Sequence, residues 1–173
     1  MTRDPECRGA DRAAPALTIR LRRVSPTHHR FEWQLPGDAP QSRELETKSC
    51  LLHDLVHFAL ESEAELADGL FGSLARGVRY ETLTEPDVAA PLWEIERVVG
   101  PLQSAWRRGF DPVPLAAAIR NHSSAMDDTG RPAPHWLHAE LLTRVAERLR
   151  QLEGHWRATR FGAAMELSFP VPA

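Results

Sequence analysis

The sequence predicts an α+β domain in which a small antiparallel sheet, built from an N-terminal hairpin and a C-terminal strand, packs against four to five helices. Apolar and polar residues alternate near both ends of the chain, at Leu17, Ile19, Leu21 and again at Met165, Leu167, Phe169. Between those ends the apolar spacing is helical. With 173 residues, 42% of them hydrophobic, the chain has enough material for one core without disulfide or metal staples.

Residues 1 to 15 are charged and aperiodic, and are expected to form a disordered or loosely attached tail ahead of a single domain over 16–173. "ALTIRLRRV" and "HHRFEWQL" flank the turn residues "SPT" and form the hairpin, with Phe31, Trp33 and Leu35 on one side of its second strand. "PGDAPQSR" reads as a loop, and "ELETKS" leads into a helix that Ser49 or Thr47 is placed to cap. "GLFGSLARG" is a short helix ended by Gly77. Leu92, Ile95, Val98 and Val99 give the next segment helical spacing, with a break or kink expected at Gly100-Pro101. "DPVPLAAAIRN" is a further short helix, and "HSSAMDDTGRPAP" a loop. The longest helix is expected from about Pro134 to Arg157, and "AAMELSFPV" follows as an edge strand, because Pro170 cannot donate a ladder bond.

Charge and composition name no partner. The 24 acidic and 21 basic residues leave a net charge of −3, spread along the chain, so no strong nucleic-acid or membrane-surface signal arises. Every basic residue except Lys48 is Arg, a bias expected of a GC-rich bacterial genome. Cys7 and Cys50 form no Cys-x-x-Cys pair and are expected to be free thiols. No window approaches the roughly 20 apolar residues of a membrane span, and the N-terminus lacks a signal-peptide core, so a cytoplasmic location is expected. Phosphate-loop, dinucleotide, Gly-x-Ser-x-Gly and di-iron patterns are all missing from the sequence.

The stretch with chemical content is "CLLHDLVHFALE", residues 50 to 61. At 100° per residue its apolar positions take one broad arc, and His53, Asp54, His57 and Glu61 share the other, the side predicted to be left over by the core. His53 and His57 stand one turn apart, about 6 Å of rise, so both imidazoles can reach one zinc ion at about 2.0–2.1 Å. Glu61 lies about 12 Å along the axis from His53, so it either joins His57 alone or holds that imidazole from behind. "HWLHAE", at 135 to 140, offers His138 as the third ligand. Asp127, Asp128, Glu81, Glu85, His28, His29, His122 and His155 are weaker candidates, each expected at the surface or in a turn.

"HDLVH" resembles the His-Glu-x-x-His helix of zinc-dependent metalloproteases, the zincins, with Asp54 standing where that family has its glutamate base. The likeness covers five residues; it implies zinc on His53 and His57 and hydrolysis assisted by Asp54, a side chain one methylene shorter. The longer stretch "LLHDLVHFALESEAELADGLFGSLARG" is similar to a group of bacterial proteins of unassigned function, in which a histidine-containing helix ending in Glu precedes a Gly-rich short helix. That second likeness implies no activity.

Three functions stay open on sequence. One is a divalent-metal centre, zinc first, hydrolytic if catalytic, with Asp54 or Glu61 assisting. Another is a non-catalytic interaction or regulatory domain without metal, its polar helix face merely solvated; a homo-oligomer fits either. In the third, Arg20, Arg22, Arg23 and Arg30 form a basic sheet face near Phe31 and Trp33 that meets nucleic acid.

Overall fold

The computed structural model describes residues 15–117 and 134–171 and is an α+β fold. Strands β1 (Ala16–Arg23), β2 (His28–Gln34) and β3 (Gln41–Glu46) precede four helical segments. These are α1 (Leu52–Glu63), α2 (Leu70–Ala75), α3 (Pro86–Arg108) and α4, the helical residues 112–117. Helix α5 (Ala139–Ala158) and strand β4 (Ala164–Pro170) complete the order. The tail expected over 1 to 15 falls outside the described residues except for Pro15, as do Asp127, Asp128 and His122.

The sheet is wholly antiparallel in the order β3-β2-β1-β4. Its register sets Leu21 opposite Phe31 and Met165, and Ile19 opposite Trp33 and Leu167. Period-two alternation then gathers Leu17, Ile19, Leu21, Phe31, Trp33, Met165, Leu167 and Phe169 on one buried face. The opposite face carries Arg20 paired to Glu166 at 2.8 Å and Arg22 paired to Glu32 at 2.9 Å. Two of the arginines expected to form a basic patch are thus neutralised by cross-strand carboxylates. They also face away from Phe31 and Trp33, which point into the core.

Strand β3 replaces part of the loop expected before α1. Its sequence, QSRELE, has almost no apolar alternation; main-chain pairing to β2 holds it as an exposed edge, with Leu45 half-buried. A π-helical turn, Thr47–Leu51, then feeds α1 without any side-chain cap, so neither Ser49 nor Thr47 acts as one. Ser49 instead donates to the Glu46 carboxylate at 2.6 Å, and the Thr47 hydroxyl contacts His29 Nδ1 at 3.3 Å.

Helix α3 runs unbroken through Pro91 and Gly100-Pro101, so the chain does not break at that pair. An interior proline costs a helix about 3 kcal/mol. Val98, Val99 and Leu102 are fully buried, at about 1.5–3 kcal/mol per such side chain, which is enough to hold the helix together across that defect. Helix α5 starts at Ala139, later than expected, because His138 is its N-cap and accepts from Leu141 N at 3.1 Å. Helix α1 lies between α5 and α3 and beneath α2.

Candidate metal centre

Helix α1 has no solvated side. Its apolar arc meets the sheet and α5 through Leu55, Val56, Phe58, Ala59 and Leu60, all essentially inaccessible. The polar arc, expected to face water, is covered by α2 and α3: His57 and Glu61 are 0% exposed and Asp54 8%. Only His53, with a side chain 37% exposed, reaches the surface. Burying ionisable groups this deeply is costly unless each is paired, so their partners decide what the helix can do.

Glu61 is satisfied by the start of α2. Its carboxylate accepts from Leu70 N at 2.8 Å, Phe71 N at 2.8 Å and Gly72 N at 3.0 Å, serving as the cap that Gly69 cannot supply. The glycine explains how it fits: a Cβ on residue 69 would lie 2.1 Å from the Glu61 carboxyl carbon, so a side chain there and the carboxylate cannot coexist. Gly72 is required as well, since its Cβ would come within 2.3 Å of the Ala67 carbonyl oxygen. The first glycine of "DGLFG" is thus the imprint of a carboxylate tucked under a helix start, and the second that of a close main-chain approach.

The same carboxylate receives a hydrogen bond from His57 Nδ1 at 3.0 Å. A carboxylate accepts, so Nδ1 donates to Glu61 and Nε2 is the nitrogen turned toward the rest of the cluster. That Nε2 lies 3.0 Å from Glu96 Oε1, on α3. His53 repeats the pattern. Its Nδ1 stands 3.6 Å from Asp54 Oδ1 and its Nε2 3.5 Å from Glu96 Oε2, ion-pair distances rather than tight hydrogen bonds. The two rings lie 4.6 Å apart, centre to centre.

His53, His57 and Glu96 each offer a ligand atom, and these atoms lie within 4.8 Å of one another, so the cluster can hold a metal ion. Beyond it, Asp54 Oδ2 faces His29 Nε2 at 3.9 Å. Both atoms are buried and otherwise without a hydrogen-bond partner among the described residues. Three imidazoles and three carboxylates therefore alternate, in the order His29, Asp54, His53, Glu96, His57, Glu61, ending at the main-chain N–H groups of α2.

Alternation fixes the protonation pattern. The carboxylates of Asp54 and Glu96 raise the His53 imidazole to about 10. Burial opposes charge on His57, yet Glu61 and Glu96 outweigh it and hold that imidazole above its ordinary value too. Burial pushes the Glu96 carboxyl up, but the two imidazoles carry it well below the usual range. Asp54, likewise opposed by burial, is held down by His29 and His53.

A pocket of about 340 Å³ opens against this chain, with His53, Asp54 and Glu96 on its wall and Cys50 nearby. His57 is not part of that wall, so of the three candidate ligands only His53 and Glu96 border the pocket.

Of the residues singled out on sequence, His53, Asp54, His57 and Glu61 are brought together. His138 is an exposed N-cap and stands outside the cluster. Glu96 supplies the third donor that His138 was expected to give. One turn beyond Leu92, it carried no signal of its own: a single glutamate between Ile95 and Arg97 matches no ligand spacing. His29 was expected at the surface and is fully buried. Its position in register with Phe31 and Trp33 was the available clue. His28, by contrast, is exposed, and so is His155. Glu81, also exposed, pairs with Arg43.

Among the described residues no helix is long and apolar enough to cross a membrane. No family model matches the chain, and neither a curated protein nor a solved structure matches it.

Proposed function

We propose that this chain binds one divalent transition-metal ion, zinc first, through His53 Nε2, His57 Nε2 and a Glu96 oxygen. The observation that carries the reading is the backing of both imidazoles. Each turns Nε2 toward Glu96 and Nδ1 toward a carboxylate, Asp54 or Glu61. Metal-bound histidines are typically oriented this way, the distal N–H held by a carboxylate that fixes the tautomer and raises basicity. Two histidines and one glutamate are also a ligand set of catalytic zinc, which keeps a fourth position open.

Such an ion supplies a hydroxide near neutral pH, and hydrolysis is the reaction class that follows. Glu61 and Asp54 act as orienting groups. Asp54 occupies the base position of the zincin-like pentapeptide, but its charge is engaged by His53 and His29.

A metal-free reading has one observation in its favour: each carboxylate of the alternating series already stands within ion-pair distance of an imidazole. A non-catalytic domain stapled by this network would need no ion. Elemental analysis after incubation with zinc and gel filtration separates the two. Wild type is expected to retain one zinc per chain, and His53→Ala/His57→Ala and Glu96→Ala to retain far less. Wild type without stoichiometric zinc would sink the metal reading.

A further inference from the structure

The pocket beside the metal cluster has two unlike walls. One is polar, with His53, Asp54 and Glu96 beside Ser49 and Cys50; the other is mostly apolar, formed by Leu45 of β3, Leu70 of α2, Leu83, and Leu92 of α3, with Tyr80 beside them. The Tyr80 ring is fixed, stacked at 5.3 Å on Trp33 and covered by Arg43 at 5.3 Å. Burial and the Asp54 charge push its hydroxyl above the ordinary value, so the phenol itself is uncharged. A volume of about 340 Å³ is at the lower end of small-molecule sites, of a size for a compact ligand rather than a polymer.

Charge narrows the ligand further. A divalent ion on the cluster would be balanced by Glu96 and Asp54, the two carboxylates on the wall, while Glu61 is spent on the three N–H groups of α2. Counted over the pocket wall, from which Glu61 is absent, no net charge then remains to favour an anion or a cation. An ion held by His53, His57 and Glu96 would have a coordination position to offer an oxygen donor, beside a largely apolar chamber.

We infer that this pocket binds a small neutral acyl compound, an ester or amide, with its apolar body against the leucine wall and its carbonyl oxygen toward the ion. The inference rests on the metal reading and names the ligand class for that centre. The acyl group would enter from the solvent side of His53, the one exposed member of the cluster's two histidines, and come to rest under Tyr80 and Leu92.

Cobalt-loaded protein and a series of aliphatic hydroxamic acids, from acetohydroxamic to octanohydroxamic acid, test this. They present the same acyl body on an oxygen donor, and the visible cobalt bands report metal binding and ligand binding separately. Affinity is expected to rise about fourfold per added methylene, the equivalent of about 0.8 kcal/mol, until the chamber is full. Leu92→Trp should end that rise at a shorter chain, and Leu45→Asp should flatten it. The cobalt bands of each variant before ligand is added verify that its metal centre is intact. Cobalt bands with affinities independent of chain length, or a rise unaltered in both variants, would overturn the acyl pocket while leaving the metal centre standing. Absence of cobalt bands in wild type would overturn both.

Discussion

Gly69→Ala is the most revealing single substitution in this chain. Residue 69 has φ −80°, a conformation open to any L-residue. Replacing a glycine there would ordinarily stabilise the fold by about 0.4–1 kcal/mol through the unfolded chain. The structure reverses the sign. The new Cβ would lie 2.1 to 2.4 Å from the carboxyl atoms of Glu61, which four hydrogen bonds pin in place. Each bond to a charged acceptor is worth about 1.5–3 kcal/mol, so displacing the carboxylate from three main-chain donors sets an upper range of about 5–9 kcal/mol. Partial re-pairing lowers that to a loss of about 3–5 kcal/mol, the usual cost of separating a buried charge from its partner. Gly154→Ala is the control: it sits exposed in α5, its Cβ meets nothing within 4 Å, and a gain of about 0.5–1 kcal/mol is expected. Both are read from urea unfolding midpoints with the slope held in common. Gly69→Ala matching the control in sign and size would refute the assignment of Glu61 as the buried cap of α2 and anchor of His57.

The other expectations concern the centre itself. Glu96→Gln should abolish most zinc binding and cost the metal-free fold clearly less than Gly69→Ala, because its side chain is 42% exposed and the amide oxygen can still accept from His57; a loss as large as that of Gly69→Ala would mark it as structural instead. Asp54→Asn should weaken zinc by about 10- to 100-fold through His53 without changing the stoichiometry, as measured by competition with a chromogenic chelator. In metal-free protein, His53 stands near 10 against an ordinary 6.5, so its contribution to stability is full below pH 6.5 and is lost as pH rises toward 10. Glu96, lowered from 4.5, contributes fully above pH 4.5 and loses that contribution as pH falls. Thermal unfolding in chelator should therefore peak between those two pH values and decline above pH 6.5, whereas the increment given by zinc should grow with pH as protons cease to compete. A chelated protein whose midpoint climbs steadily from pH 6.5 to pH 9 would contradict the imidazolium–carboxylate chain.

The sheet and most helices were legible because each carries its own periodicity. Leu17, Ile19 and Leu21 name a buried face without outside help, and the register simply adds Met165, Leu167 and Phe169 to it. β3 was not legible, since an exposed edge strand is held by main-chain pairing that leaves no apolar pattern. The continuity of α3 across Gly100-Pro101 was equally hidden, because it depends on the tertiary burial of Val98, Val99 and Leu102 rather than on local propensity. At the site, the segregation of His53, Asp54, His57 and Glu61 on one arc could be read directly. What the arc faced could not: amphipathicity separates polar from apolar residues but does not distinguish water from a second layer of helices. Glu96 lies 39 positions beyond His57, and only the packing of α3 on α1 brings the two together. The glycines at 69 and 72 had a local explanation as helix punctuation; the role of Gly69 in admitting a carboxylate appears only once Glu61 is placed, and that of Gly72 only once the Ala67 main chain is packed against it.

X-ray absorption at the zinc edge on the zinc-loaded protein bears most directly on the proposed centre. Two imidazole nitrogens and carboxylate or water oxygens at about 2.0–2.2 Å, with no sulfur shell near 2.3 Å, are the expected result for ligation by His53, His57 and Glu96. A sulfur contribution, which would draw in Cys50, or a sample that retains no zinc to measure, would contradict it.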